Sequence, residues 1–203
     1  MTQFECVLDA HAAVGECPTW HAGEQRLYWI DSPTGRINRF DPVTGKNETR
    51  DLGYHIGSFA FRKTGGLIAA TQRGFCFLDF DTGLLDLISD PESGRNDLTM
   101  NDGRAGPGGQ FFAGSMGFPI RLDQLDGTFY RLDADGTVTA LVGGMGTSNG
   151  LAFSPDGKTL YHADSLPCVQ TIWAWDHDPA SGGIENRRVF ATTEELAGRP
   201  DGA

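Results

Sequence analysis

No run of apolar residues in this sequence approaches the ~18 that a membrane helix requires, so no spanning helix is expected. Helical periodicity is equally scarce. Only "TTEELAG" (192–198) offers even a single turn, so helices are not expected to build the core. Basic residues are few, with 16 Lys and Arg against 27 Asp and Glu and a formal net charge of −11. Nucleic acid and anionic membrane surfaces need a basic footprint, and both are set aside as partners. The opening "MTQFECVLDAHAAVG" has neither the basic nor the apolar region of a signal peptide, which leads to the expectation of a cytoplasmic protein. Cys6, Cys17, Cys76 and Cys168 stand far apart, with no C-x-x-C pair and no Cys/His metal spacing. They are expected to be reduced, buried small hydrophobes.

What the chain has in quantity is turn chemistry. Its 28 Gly and 10 Pro fall between short apolar segments rather than in low-complexity runs, the pattern of an all-β chain. "LYWIDSPTGRINRFDPVTG" (27–45), "LIAATQRGFCFLDFDTG" (67–83) and "LYHADSLPCVQTIWAWDHDPASG" (160–182) follow one plan: strand, short turn, strand with a late aromatic, Asp, and a turn ending in Gly. "QFFAGSM…GTFYRLDADG" (110–136) is a looser copy with an insertion in its first turn. "RINRF" and "TFYRLDADGTVTAL" alternate with period 2, as half-buried antiparallel strands do. A repeat of about 41 to 52 residues suits a four-stranded propeller blade.

Aligned on the residues that open the innermost strands (Trp20, Phe61, Ala105 and Phe153), the repeats place Glu16, Gly57, Asn101 and Asn149 four positions earlier. The next copy of that position is Asp201, in the closing "RPDGA", which therefore reads as the start of a further blade. Innermost strands surround a propeller's central channel, so these five positions converge near its mouth. Carboxylates from Glu16 and Asp201 and amide oxygens from Asn101 and Asn149 make a hard-oxygen cluster. Such a cluster suits Ca2+, Mg2+ or Mn2+, with Zn2+ also possible.

"GECPTW", "NDGRAGPGGQFFAGSM", "SNGLAFSPDGKTLYHAD" and the terminal "PDGA" together resemble the regucalcin/gluconolactonase family over essentially the whole chain. The resemblance implies a six-bladed β-propeller that hydrolyses sugar lactones with one divalent cation. Of that ring this chain would supply about four blades and the start of another, as a single domain over 1–203 cut short at its C-terminus. It implies metal ligands at Glu16, Asn149 and Asp201, a substrate-orienting Asn101, and Asp201 as the general base. Met116, in the small-residue stretch 114–117, is expected beside Asn101 in the substrate pocket. Many family members carry Arg two residues before the substrate Asn, where this chain has Thr99, which is expected in the substrate site with Asn101 and Met116. A hydroxyl does not replace a bidentate guanidinium, so Arg95, Arg104 and Arg121 are the candidates to substitute. The partner expected is a small sugar lactone. The alternatives are a non-catalytic calcium-binding or scaffold propeller, and a metal-dependent esterase of another substrate class.

Other signals are weaker. "AFSPDGKT" has Ala152 where a P-loop needs its first Gly. "GSMG" is not a nucleophile elbow, and "DADG" lacks the Glu that closes a calcium loop. The five histidines show no ligand spacing, and only His55, two residues before Gly57, falls near the channel phase. Cys17 and the four tryptophans read as packing.

Overall fold

The computed structural model describes residues 4–202. Sixteen strands form four antiparallel sheets, each ordered as the chain runs. The first sheet holds β1 (Gly15–His21), β2 (Arg26–Asp31), β3 (Arg36–Phe40) and β4 (Asn47–Asp51). The second holds β5 (Ile56–Phe61), β6 (Leu67–Thr71), β7 (Gly74–Leu78) and β8 (Leu85–Ser89). The third holds β9 (Leu98–Ala105), β10 (Phe111–Gly117), β11 (Gly127–Leu132) and β12 (Val138–Met145). The fourth holds β13 (Ser148–Phe153), β14 (Thr159–Asp164), β15 (Thr171–Asp178) and β16 (Gly183–Thr192). These are four propeller blades, as the repeat predicts, with no helix among the described residues. The segment "TTEELAG" forms only a turn, closed by Leu196 N–H to Thr193 O at 3.0 Å.

Three apolar layers lie between neighbouring blades. Tyr28, Ile30 and Ile37 meet Ile56, Phe59 and Leu67. Ile68, Ala70 and Phe75 meet Met100, Phe111 and Tyr130. Phe112, Phe129 and Met145 meet Leu151, Leu160 and Trp175. Burying each such side chain contributes ~1.5–3 kcal/mol, so the inter-blade layers hold the sheets together. Strand β6 displays the logic. Leu67 and Ala69 face one layer, Ile68 and Ala70 the next, and all four are buried. The period of 2 therefore divides two cores rather than core from solvent. That is why Asn38 is buried within the alternating "RINRF", where Asn47 and Thr49 donate to its Oδ1 at 3.0 and 2.7 Å.

Two packing expectations need correction. Cys76 is buried and Cys17 packs against the first layer, but Cys6 and Cys168 are exposed. Cys6 precedes the first strand and Cys168 sits in the β14–β15 connection, where no blade covers either. Of the tryptophans only Trp175 is buried, and Trp20 is 47% exposed.

The innermost strands β1, β5, β9 and β13 carry the channel. Each has a β-bulge at the same repeat phase: between Glu16 and Thr19, between Ile56 and Ser58, at Asn101–Asp102 opposite Gly114, and between Asn149 and Ala152. Bulges re-aim side chains and often border functional sites. Here local sequence favours them through Pro18, which cannot donate to the ladder, and through Gly57 and Gly150. No helix among the described residues is long and apolar enough to cross a membrane.

Candidate active site

At the mouth of the channel a cavity of about 490 Å³ is lined by Glu16, Asn101, Asp102, Met116, Asn149 and Asp201, with His55, Gly57, Thr147, Ser165 and Arg199 around them. The four oxygen-bearing positions of the repeat alignment thus share one cavity, and Met116 lines it with them. A larger space of about 670 Å³ lies deeper and shares Glu16 and Asp102. Its other walls include Phe59, Phe61, Leu151 and Cys17 with Thr19 and Arg104, and both asparagines are missing from it, so the amide oxygens belong to the mouth.

The repeated Asp-Ser at the end of the second strand in the first and fourth blades holds the site. Asp31 Oδ1 accepts the Val14 N–H at 2.9 Å. Asp164 accepts the N–H groups of Gly146 and Thr147 at 2.7 and 2.9 Å. Both carboxylates thereby anchor the segment that enters the innermost strand. The serines act on the site residues themselves. Asn149 Nδ2 donates to Ser165 Oγ at 2.7 Å, which turns its Oδ1 toward Asn101 Nδ2 at 3.3 Å. Asn101 Nδ2 also donates to Ser148 O at 2.9 Å, so its Oδ1 is left for a ligand.

Three carboxylates crowd this mouth. Glu16 is held above the usual range by burial first, then by Asp201 and Asp102. Burial likewise raises Asp102, although N–H groups of Gly103, Leu151 and Gly150 partly restrain it. Asp102 is the residue that sequence reading missed. Strict alternation would turn it away from Asn101's side, and only the bulge brings it to the mouth. Among the described residues no three His, Cys, Asp or Glu side chains are grouped closely enough to hold a metal by themselves. The donor set is instead mixed: carboxylates of Glu16 and Asp201 with the oriented Oδ1 of Asn149. Hard oxygens whose charges repel one another fit a divalent cation, which would relieve that repulsion.

Thr99 lies behind the cavity wall, 2% exposed, with its hydroxyl 2.9 Å from His55 Nδ1. The ring's Nε2 meets Ser32 Oγ at 3.0 Å, and Ser32 itself donates to Ile56 O at 2.7 Å. His55 therefore bridges the first and third blades, and its ring lines the cavity in place of Thr99. Arg95 and Arg121 are tied to Asp97 at 2.9 Å each and both reach Asp126. Arg104 donates to Leu151 O at 3.1 Å and lines the deeper space. None of these three arginines lines the mouth, whereas Arg199 does.

Burial lowers His55 to about 4, so it is neutral at pH 7. An unfolded histidine takes its proton near pH 6.5. Stability from His55 is therefore complete above pH 6.5 and is lost as pH falls to about 4, amounting to ~3 kcal/mol. Denaturant unfolding at pH 7.5 and 4.5 should show a smaller pH difference for His55→Gln than for the parent. Equal differences would contradict this role.

Four blades around a channel, with oxygen donors gathered at one mouth, define a β-propeller with a polar cavity at the mouth of its channel. The chain belongs to the SMP-30/Gluconolactonase/LRE-like family, whose pattern it matches over residues 14–203. It is 37% identical over 200 residues to a 6-deoxy-6-sulfogluconolactonase of Pseudomonas putida, covering 98% of this chain and 67% of that one. It is 33% identical to a pentonolactonase of Haloferax volcanii, covering 97% of this chain and 64% of that one. A crystal structure of a calcium-binding regucalcin from Agrobacterium tumefaciens superposes with a TM-score of 0.85 at 26% identity, over 93% of this chain and 63% of that one. The chain thus spans about two thirds of the length of these relatives.

Proposed function

We propose that this protein hydrolyses a sugar lactone to the corresponding acid with a divalent cation held by Glu16, Asn149 and Asp201. The observation that carries the reading is the convergence of Glu16, Asn101, Asn149 and Asp201 on one cavity from equivalent repeat positions. The relatives named for lactone hydrolysis support it. When bound, the cation supplies polarisation of the ester carbonyl and acidification of water.

The chain's own residues do the rest. Asn101 accepts a ring hydroxyl at Oδ1 and orients the lactone. Phe118, Pro119 and Ile120 form an apolar wall that limits water. Asp201 takes the proton of the attacking water as its oxygen adds to the carbonyl carbon. The ring C–O bond then breaks, and that proton passes to the departing alkoxide. Raised basicity at Glu16 and Asp102 keeps the pocket ready to receive positive charge. The same oxygens would serve a non-catalytic calcium-binding propeller, a reading favoured by the likeness to the Agrobacterium protein.

The test is proton release from a panel of aldonolactones by chelator-stripped protein resupplied with Ca2+, Mg2+, Mn2+ or Zn2+ in turn. Opening above the spontaneous rate, restored by at least one metal, is expected. Metal binding with a raised melting temperature and no lactone opened would move the calcium-binding reading ahead. Opening of simple aryl esters but not lactones would instead favour an esterase.

A further inference from the structure

Two positions before each channel residue, the repeat supplies a second ring: Val14, His55, Thr99, Thr147 and Arg199. All but Thr99 line the mouth cavity. Val14 is apolar. His55 is buried between Ser32 and Thr99 and carries no charge at neutral pH. Thr147 is held by its N–H on Asp164. Arg199 is therefore the one cationic side chain of this ring, and no Lys or other Arg lines the cavity.

Its surroundings are unlike those of the other arginines near the mouth. Arg95 and Arg121 are neutralised by Asp97 and Asp126. Arg199 is exposed and enters no ion pair or hydrogen bond among the described residues, although Glu16, Asp102 and Asp201 line the same cavity. A guanidinium presents a planar fork of donors that matches an oxyanion in bidentate fashion. A neutral sugar ring needs only acceptors and donors of the kind Asn101 provides. A lactone with a negative substituent would be repelled by three carboxylates, and a divalent cation offsets only two of those charges.

We infer that Arg199 binds an anionic oxygen-bearing substituent of the lactone, remote from the ester carbon, so that acidic sugar lactones are the preferred substrate class. This rests on the lactonase reading and adds a specificity-determining residue to it. The guanidinium has, in effect, moved around the ring from the Thr99 position to the equivalent position of the next repeat but one.

The experiment compares Arg199→Ala and Arg199→Lys with the parent protein. Kinetics would be measured on neutral aldonolactones and on counterparts bearing a terminal carboxylate, phosphate or sulfonate. Calorimetry would measure binding of the matching open-chain acids, which are not turned over. For Arg199→Ala the KM for acidic lactones should rise about 10- to 100-fold with kcat little changed, while neutral lactones shift far less. Arg199→Lys should recover part of the loss, because charge remains without the fork. The member of the panel most affected identifies the oxyanion. Equal shifts for neutral and acidic substrates, or a parent that does not favour acidic lactones, would overturn the inference. If the parent opens no lactone, the hydrolase reading fails. The calorimetric difference between the terminally charged acids and the neutral-ended ones then still decides whether Arg199 holds an oxyanion.

Discussion

Asp201→Asn is expected to lower kcat/KM for lactone hydrolysis by about 10²- to 10⁴-fold, the range set by losing a positioned general base. The substitution keeps the size of the side chain and one of its oxygens. It removes the negative charge and the ability to take a proton from water. Asp201 is exposed at the cavity and its backbone carbonyl lies against Gly150, so no buried packing depends on its carboxylate. The fold should therefore survive, and the melting temperature of the metal-free protein should stay within a few degrees. Metal affinity, read by calorimetry, should weaken as one of two ligating carboxylates becomes neutral. A variant that keeps more than a tenth of parental kcat would remove Asp201 from the role of base. A collapsed circular-dichroism signal would trace the lost activity to unfolding and would contradict the surface placement of this carboxylate.

The second large effect concerns backbone geometry. Gly57→Ala should destabilise the protein by about 1–3 kcal/mol and disturb catalysis at the same time. A Cβ at Gly57 would press into the backbone carbonyls of Met100 and Asn101 and stand 2.6 Å from the Asn101 Cα. Backbone atoms of a paired strand cannot swing aside as a side-chain end can. Either β5 or β9 must shift, and β9 carries Asn101 and Asp102. For a chain of this size each kcal/mol corresponds to about 2–4 °C in melting temperature, so thermal unfolding should move by several degrees. The KM for the lactone should rise as Asn101 is displaced. Unchanged stability and KM together would show that the blades tolerate a wider spacing at the mouth than this contact implies. The same substitution at Gly143, where a Cβ meets nothing within 4 Å and φ is not positive, is the control for losing a glycine without crowding.

Much of the propeller is legible in the amino-acid sequence. The repeated strand, turn, strand and Gly-ended turn report local interactions, and local interactions are what short segments encode. The equivalence of Glu16, Gly57, Asn101, Asn149 and Asp201 can be read for the same reason: it is a matter of counting from one repeat to the next. Their convergence on one cavity follows from the architecture rather than from any residue's chemistry.

Other features needed the tertiary structure. Alternation along β9 assigns Asp102 away from Asn101's side, and the bulge that reverses this depends on where β10 pairs, which residues 98–105 do not specify alone. Alternation also misreads burial in β6, because both faces of a blade are covered by neighbours that come from distant sequence. Thr99 occupies a position where a substrate contact was expected, yet its hydroxyl is taken up by His55, 44 residues earlier in the chain. Arg199, by contrast, could have been found by counting two residues back from each channel position. Its significance could not, since only the folded chain pairs Arg95 and Arg121 with Asp97 and keeps them from the cavity. The sequence by itself determined the blades and the identity of the ring of oxygens, because both are periodic. Which side chains face the cavity was decided by bulges, inter-blade packing and ion pairs formed across tens of residues.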